Sequence, residues 1–420
     1  LTVYFLLIKS CVYLLNPRRQ APLKSIGKAT LISTCLIGFS SSGLAQDSAL
    51  QFENRDQGAM PGLGKPAADQ AQTKVQIAIL LDTSSSMQGL IDQTKSQLWK
   101  VVNSFNKAEK NGKVPYVEVA LYEYGNSGLN LTENYIRQIE PLTRDLDEVS
   151  KELFSLETNG GEEYCGAVIT RATQDLKWDP APATYKVIFI AGNEPFTQGP
   201  VDAIVASQEA AQMNIIVNTI HCGNEQAGIS GQWKTGALAA GGNFAIINQD
   251  RAIAHIPSPQ DSLLLKLNKE LNGTYIPYGD QGQQRWENQA IQDTNAGYKA
   301  KEGAAVQRAI TKCSQNYWNS NWDLCDASNA KGFDWKKIEK KSLPKNLQSK
   351  STEELKAYVT SNQNTRTEIQ EKMKSASKAR ALFIEKVRAN QKQNNKELTL
   401  DQAIQNAVKA QAKEKGYKFK

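Results

Sequence analysis

Histidine is nearly absent from this chain. Its 420 residues hold two, His221 and His255, which excludes a metal centre built on three histidines. Cysteine is sparse too: there are six, with no Cys-x-x-Cys spacing, so a zinc ribbon and a thioredoxin-type redox site have no support. Neither a Gly-x-Ser-x-Gly nucleophile elbow nor a Gly-x-x-x-x-Gly-Lys-Ser/Thr phosphate loop occurs. A strong overall charge is also missing. The net +7 divides into +5 for residues 1–45, −9 for residues 46–279 and +11 for residues 280–420. The chain is therefore an acidic body joined to a basic tail, and nucleic acid is not an implied partner. With 40% hydrophobic and 22% charged residues, neither a wholly disordered nor a wholly membrane-embedded chain fits. The length suits two or three units.

Residues 1–45 read as a targeting segment. Arg18, Arg19, Lys24 and Lys28 precede the apolar run Ala29–Phe39, and the small residues Gly43 and Ala45 follow. This is the three-part form of a secretory signal cleaved before Gln46, and the run is short for a bilayer span. The expectation is an exported protein, periplasmic or extracellular; the alternative is a membrane anchor. Four cysteines then remain in the mature chain. In an oxidising compartment the expected pairs are Cys165–Cys222 and Cys313–Cys325, with buried thiols as the alternative.

After a loose linker at 46–73, strands and helices alternate. Val75–Leu81, Lys186–Ala191 and Ile215–Ile220 are near-continuous apolar runs, as strands buried on both faces show. Val117–Tyr124 alternates, and Tyr135–Ile139 suits an antiparallel edge. Helical spacing follows at Leu90–Ala108, Leu146–Leu156, Tyr164–Leu176, Val201–Met213 and Leu263–Leu271. The implied class is α/β, a doubly wound, mostly parallel sheet over residues 74–278 with an α-helical C-terminal extension. Ligands of such sheets bind at the carboxyl ends of the strands, here the loops after Leu81, Tyr124, Ile190 and Ile220.

The first of these loops reads Asp82-Thr83-Ser84-Ser85-Ser86. One carboxylate and two hydroxyls at alternating positions can face a common point and suit a hard cation such as Mg²⁺ or another divalent ion. Their plainer role is capping the helix near Leu90. With Gly160-Gly161 before a helix and Val187-Ile-Phe-Ile-Ala-Gly-Asn-Glu-Pro195, this pattern resembles the von Willebrand factor type A domain, and within it a subgroup of exported bacterial proteins. The resemblance implies a metal-ion-dependent adhesion site and a protein ligand. That family uses Asp-x-Ser-x-Ser, a Thr from the Gly-Gly loop and an Asp ending the fourth core strand. Here the first element is Asp82, Ser84 and Ser86, but Glu162 stands where the Thr belongs and Gly192 where the Asp belongs. Either Glu162 supplies the lost charge as a ligand, or the site binds its partner by hydrogen bonds alone. Asn193, Glu194 and His221 complete the expected ligand edge.

Beyond the sheet, residues 279–345 read as a helical and irregular extension packed on the body. Residues 346–420 read as a charged helical tail with a narrow apolar stripe, a helical hairpin or coiled-coil seam. Its basic character suits a partner or an anionic membrane surface; the alternative is a solvated arm. The combined expectation is a non-enzymatic, exported, adhesion- or scaffold-type binding module with a degenerate metal site. The runners-up are a hydrolase acting at the same edge and a scaffold whose basic tail binds the partner.

Overall fold

The computed structural model describes residues 73–248, 255–299, 303–390 and 400–419; the expected leader at 1–45 and all but Thr73 of the linker lie outside them. In chain order the strands are β1 (Lys74–Asp82), β2 (Ala108–Glu109), β3 (Tyr116–Tyr124), β4 (Ile136–Thr143), β5 (Tyr185–Gly192), β6 (Ile215–Cys222), β7 (Phe244–Ile247) and β8 (Lys418–Phe419). The helices are α1 (Gln88–Phe105), α2 (Leu146–Ser155), α3 (Cys165–Asp175), α4 (Ala203–Gln212), α5 (Glu225–Ser230), α6 (Trp233–Ala239), α7 (Asp261–Asn272), α8 (Gly282–Thr294), α9 (Ala304–Lys312), α10 (Leu324–Ala327), α11 (Thr352–Asn390) and α12 (Leu400–Glu414).

Six strands form one sheet in the order β4-β3-β1-β5-β6-β7. All neighbours are parallel except β4, which runs antiparallel to β3 through two register shifts. The period-2 geometry of β1 sorts its side chains between two apolar layers. Val75, Ile77, Ile79 and Leu81 join Leu90, Leu98 and Val102 of α1. Ala78 and Leu80 join Val168 and Ala172 of α3 on the opposite face. From β1 the chain goes first to β3 on one side and later to β5 on the other, so strand order reverses at the carboxyl ends of β1 and β5. This is the doubly wound, mostly parallel sheet the sequence implies.

The sheet domain closes in an unexpected way. The stretch Leu263–Leu271, read as its last helix, lies in α7 and packs on α9 and α11 instead. The helix covering the sheet beside α1 is α12, from the presumed tail. Leu400, Ile404 and Val408 are buried in the same layer as Leu81 and Val102. Gln411 clamps β6 through paired amide bonds with Asn218 (2.6 and 3.2 Å) and accepts the Tyr185 hydroxyl at 2.7 Å. β8 then pairs with β2, and the Tyr417 hydroxyl donates to the Lys74 carbonyl at 3.1 Å. The apolar face of residues 400–419 is thus packed on the sheet and is not part of a solvated arm.

Between β7 and α12 the chain builds a helical layer with its own core, including Leu264, Leu271, Tyr275, Trp322, Ile369 and Met373. Here α11 is one continuous 39-residue helix against α7, α9 and α10, so its narrow stripe serves neither a hairpin nor a coiled coil. The layer meets α2 through a buried charge cluster. Arg308 pairs with Asp147 and Asp293, both at 2.5 Å, and lies over the Trp99 ring at 4.8 Å. Lys312 reaches Asp293 at 3.2 Å and donates to Asn272. Burial alone raises the Asp293 pKa, yet Lys312 and Arg308 hold it well below the usual carboxylate range.

The expected disulfides do not form. All four cysteines are buried thiols. Cys165 on α3 and Cys222 on β6 belong to layers on opposite faces of the sheet, while Cys313 and Cys325 belong to two different clusters of the helical layer. Among the described residues, no helix is long and apolar enough to cross a membrane.

Candidate functional site

The loop after β1 starts as an extension of the sheet. The Thr83 amide donates to the Tyr124 carbonyl at 2.9 Å, and its hydroxyl donates to Glu123 at 3.1 Å. Glu123 is buried and held in turn by Arg137 at 2.5 Å. Pinned in this way, the chain turns at Ser84, whose amide donates to Asp82 Oδ1 at 2.8 Å. Ser84 and Ser86 then bring their hydroxyls within 3.2 Å of each other, and the Asn193 amide donates to Ser86 Oγ at 3.1 Å. Asp82, Ser84 and Ser86 do gather at the carboxyl end of β1, with Asn193 from the loop after β5.

The Gly-Gly loop crosses tightly over this turn. Gly161 lies so close to Gly125 that a Cβ on it would sit 2.2 Å from the Gly125 carbonyl oxygen. The Ser127 amide donates to the Gly160 carbonyl at 2.6 Å, and the Asn159 amide to the Thr83 carbonyl at 3.0 Å. What the loop delivers differs from expectation. Glu162 is exposed and accepts a bond from Gln198 at 3.2 Å. The neighbouring Glu163 is buried and faces Asp82 and Ser84. An extended backbone alternates side-chain direction, so of two consecutive glutamates only one can turn inward. The sole sequence signal for which one was its place two residues before the apolar helix starting at Cys165.

Burial, and then the Asp82 charge, pushes the Glu163 carboxyl well above the ordinary range; burial raises Asp82 as well. Asp82 Oδ2 and Glu163 Oε2 are both buried without a hydrogen-bond partner. Two inward carboxyls with unpartnered oxygens, set beside two hydroxyls, are a donor set that a hard divalent ion accepts.

At the end of β5, Gly192 leaves room for another group. A Cβ there would lie 2.5 Å from the Tyr124 hydroxyl, which donates to the Ala191 carbonyl at 3.0 Å. The Tyr124 hydroxyl therefore fills the space that a side chain at position 192 would need. Glu194 is exposed, and its carbonyl accepts the Trp233 indole N–H at 2.8 Å. His221 is buried beneath Gly223 and Gly228, its ring 5.7 Å from that of Trp233. Burial lowers its pKa, so it is a neutral packing group and does not open onto the ligand edge.

This arrangement can be set beside known proteins. Residues 76–230 match the family model of the von Willebrand factor type A domain. The chain carries a type A domain. No curated protein sequence matches the chain. Among solved structures, it is similar to the conserved hypothetical protein BatB from Bacteroides thetaiotaomicron, at 16% identity over 41% of this chain and 90% of that one, with a TM-score of 0.31. It is also similar to proximal thread matrix protein 1 from the mussel byssus, solved with a zinc-occupied MIDAS motif, at 14% identity, 43% of each chain and a TM-score of 0.33. A third is the pilus adhesin SpaC from Lactobacillus rhamnosus GG, at 13% identity over 43% of this chain and 29% of that one, with a TM-score of 0.33. The chain thus spans less than half of the mussel protein and of the adhesin. The type A domain here contains the whole candidate site, while α12 and the helical layer lie beyond the matched residues.

Proposed function

We propose that this protein is an exported binding module of adhesion or scaffold type, whose type A domain holds a divalent cation and presents it to a protein ligand. The cation would be held by Asp82, Ser84, Ser86 and Glu163, and would supply an electrophilic point for a partner's oxygen. A single observation carries this reading: two buried carboxyls face each other with orphaned oxygens beside two hydroxyls. Glu163 takes the part earlier expected of Glu162. Asn193 orients Ser86, and the Tyr124 hydroxyl fills the space beside Gly192. Export rests on the composition of residues 1–45 alone.

Isothermal titration with Mg²⁺, Mn²⁺ and Ca²⁺ tests the site. Wild-type protein is expected to bind at least one of these ions at a single site, and Asp82→Ala to bind none. Identical titrations for the two proteins would remove the metal from the account.

A further inference from the structure

The loops at the carboxyl edge have a common composition. Residues 83–88, 125–135, 156–164, 193–202 and 223–232 contain no lysine, arginine or histidine, and carry seven acidic residues. Hydrogen bonds stitch them into one surface: Asn159 to Thr83, Ser127 to Gly160, and Phe196 to Gly231. Two of the seven carboxylates are engaged elsewhere, Glu133 with Arg171 and Asp202 as the cap of α4. Glu157, Glu162, Glu194 and Glu225 remain exposed around the Asp82–Glu163 pair. Beneath them the buried Asp82 and Glu163 keep unpartnered oxygens, a point on this edge that a positive group satisfies.

We infer that the ligand of this edge is a polypeptide presenting a lysine- or arginine-rich segment. The inference rests on the carboxyl edge being the docking face, as proposed above. Asp82 and Glu163 together already neutralise a divalent ion. A partner carboxylate approaching it gains little from the metal and meets the exposed glutamates. A basic segment gains attraction from each of them and can offer a neutral backbone oxygen to the ion. Anionic lipid and nucleic acid are repelled by the same field.

The test is titration of the full chain with octalysine and octaglutamate peptides, with and without Mg²⁺, at low and at physiological salt. Octalysine is expected to bind, to weaken about tenfold on raising salt, and to weaken several-fold in the Glu162→Gln/Glu194→Gln variant; octaglutamate is expected not to bind. Magnesium-dependent binding of octaglutamate, or octalysine binding unchanged in the double variant, overturns the inference. Direct Mg²⁺ titration separates this from the metal proposal. Octalysine binding without any metal binding leaves the basic ligand standing and ends the cation reading; metal binding with octaglutamate preferred does the reverse.

Discussion

The molecule buries clustered carboxyl groups in two places, and they are built on opposite terms. At the junction of sheet and helical layer, Asp147 and Asp293 are matched by Arg308 and Lys312, with the Asn272 amide donating to Asp293 and the Tyr317 hydroxyl to Asp147. At the sheet edge, Asp82 and Glu163 are buried together, each with an oxygen left unpartnered. Burial costs both sites solvation. The first offsets that cost internally and is structural. The second does not, and that imbalance is what the proposed cation would relieve.

Breaking the balanced cluster has the largest expected effect. Arg308→Leu leaves two buried carboxylates short of a cation and lowers unfolding free energy by about 3–5 kcal/mol in denaturant titration. Supplying the missing charge at the other site acts in the opposite direction. A divalent cation at a hundred times its Kd stabilises the wild type by about 2.7 kcal/mol, read as a raised Tm, and leaves Asp82→Ala unmoved.

Glu163→Gln sharpens the contrast without metal. It removes a buried carboxyl that folding forces to stay protonated and leaves an amide that can donate to Asp82, a gain of about 2 kcal/mol near neutral pH. The sign follows from linkage. Both carboxyls bind protons more tightly when folded, so their contribution to stability falls as pH rises from about 4, the usual unfolded carboxyl value, towards about 9, the raised Glu163 value. The advantage of the variant therefore grows across that window. Asp293 behaves the other way, its stabilisation being present at neutral pH and lost as pH falls below about 4. The smallest expected effect is Gly192→Ala, which pushes a methyl group onto the Tyr124 hydroxyl and costs about 1–2 kcal/mol. Adding Tyr124→Phe recovers part of that loss if the hydroxyl is what fills the space.

The sheet was legible because its strands are buried on both faces: Val75–Leu81, Lys186–Ala191 and Ile215–Ile220 could hardly sit elsewhere. The loop Asp82–Ser86 was legible because it follows one of them directly. The disulfides misled because counting cysteines says nothing about layers, although the alternation Ile220–Cys222 already placed Cys222 on the α1 face, away from α3. Glu163 was hidden by its twin at 162, since a turn of the backbone chose between them. The role of α12 was least visible. Its apolar positions Ile404 and Val408 are few among lysines and glutamines, and their partners lie far earlier in the chain, on α1, β1, β6 and β7.

That last helix has a consequence for biosynthesis. Five parallel strands emerge from the ribosome with the groove beside α1 still open, and the piece that seals it is separated from β7 by the whole helical layer. A nascent chain must keep that greasy trough from sticking to its neighbours until Leu400 and the residues after it arrive. Any product cut short before them would present a half-clad platform to proteases and chaperones, so synthesis of the far segment acts as a completeness check on the domain that began folding first.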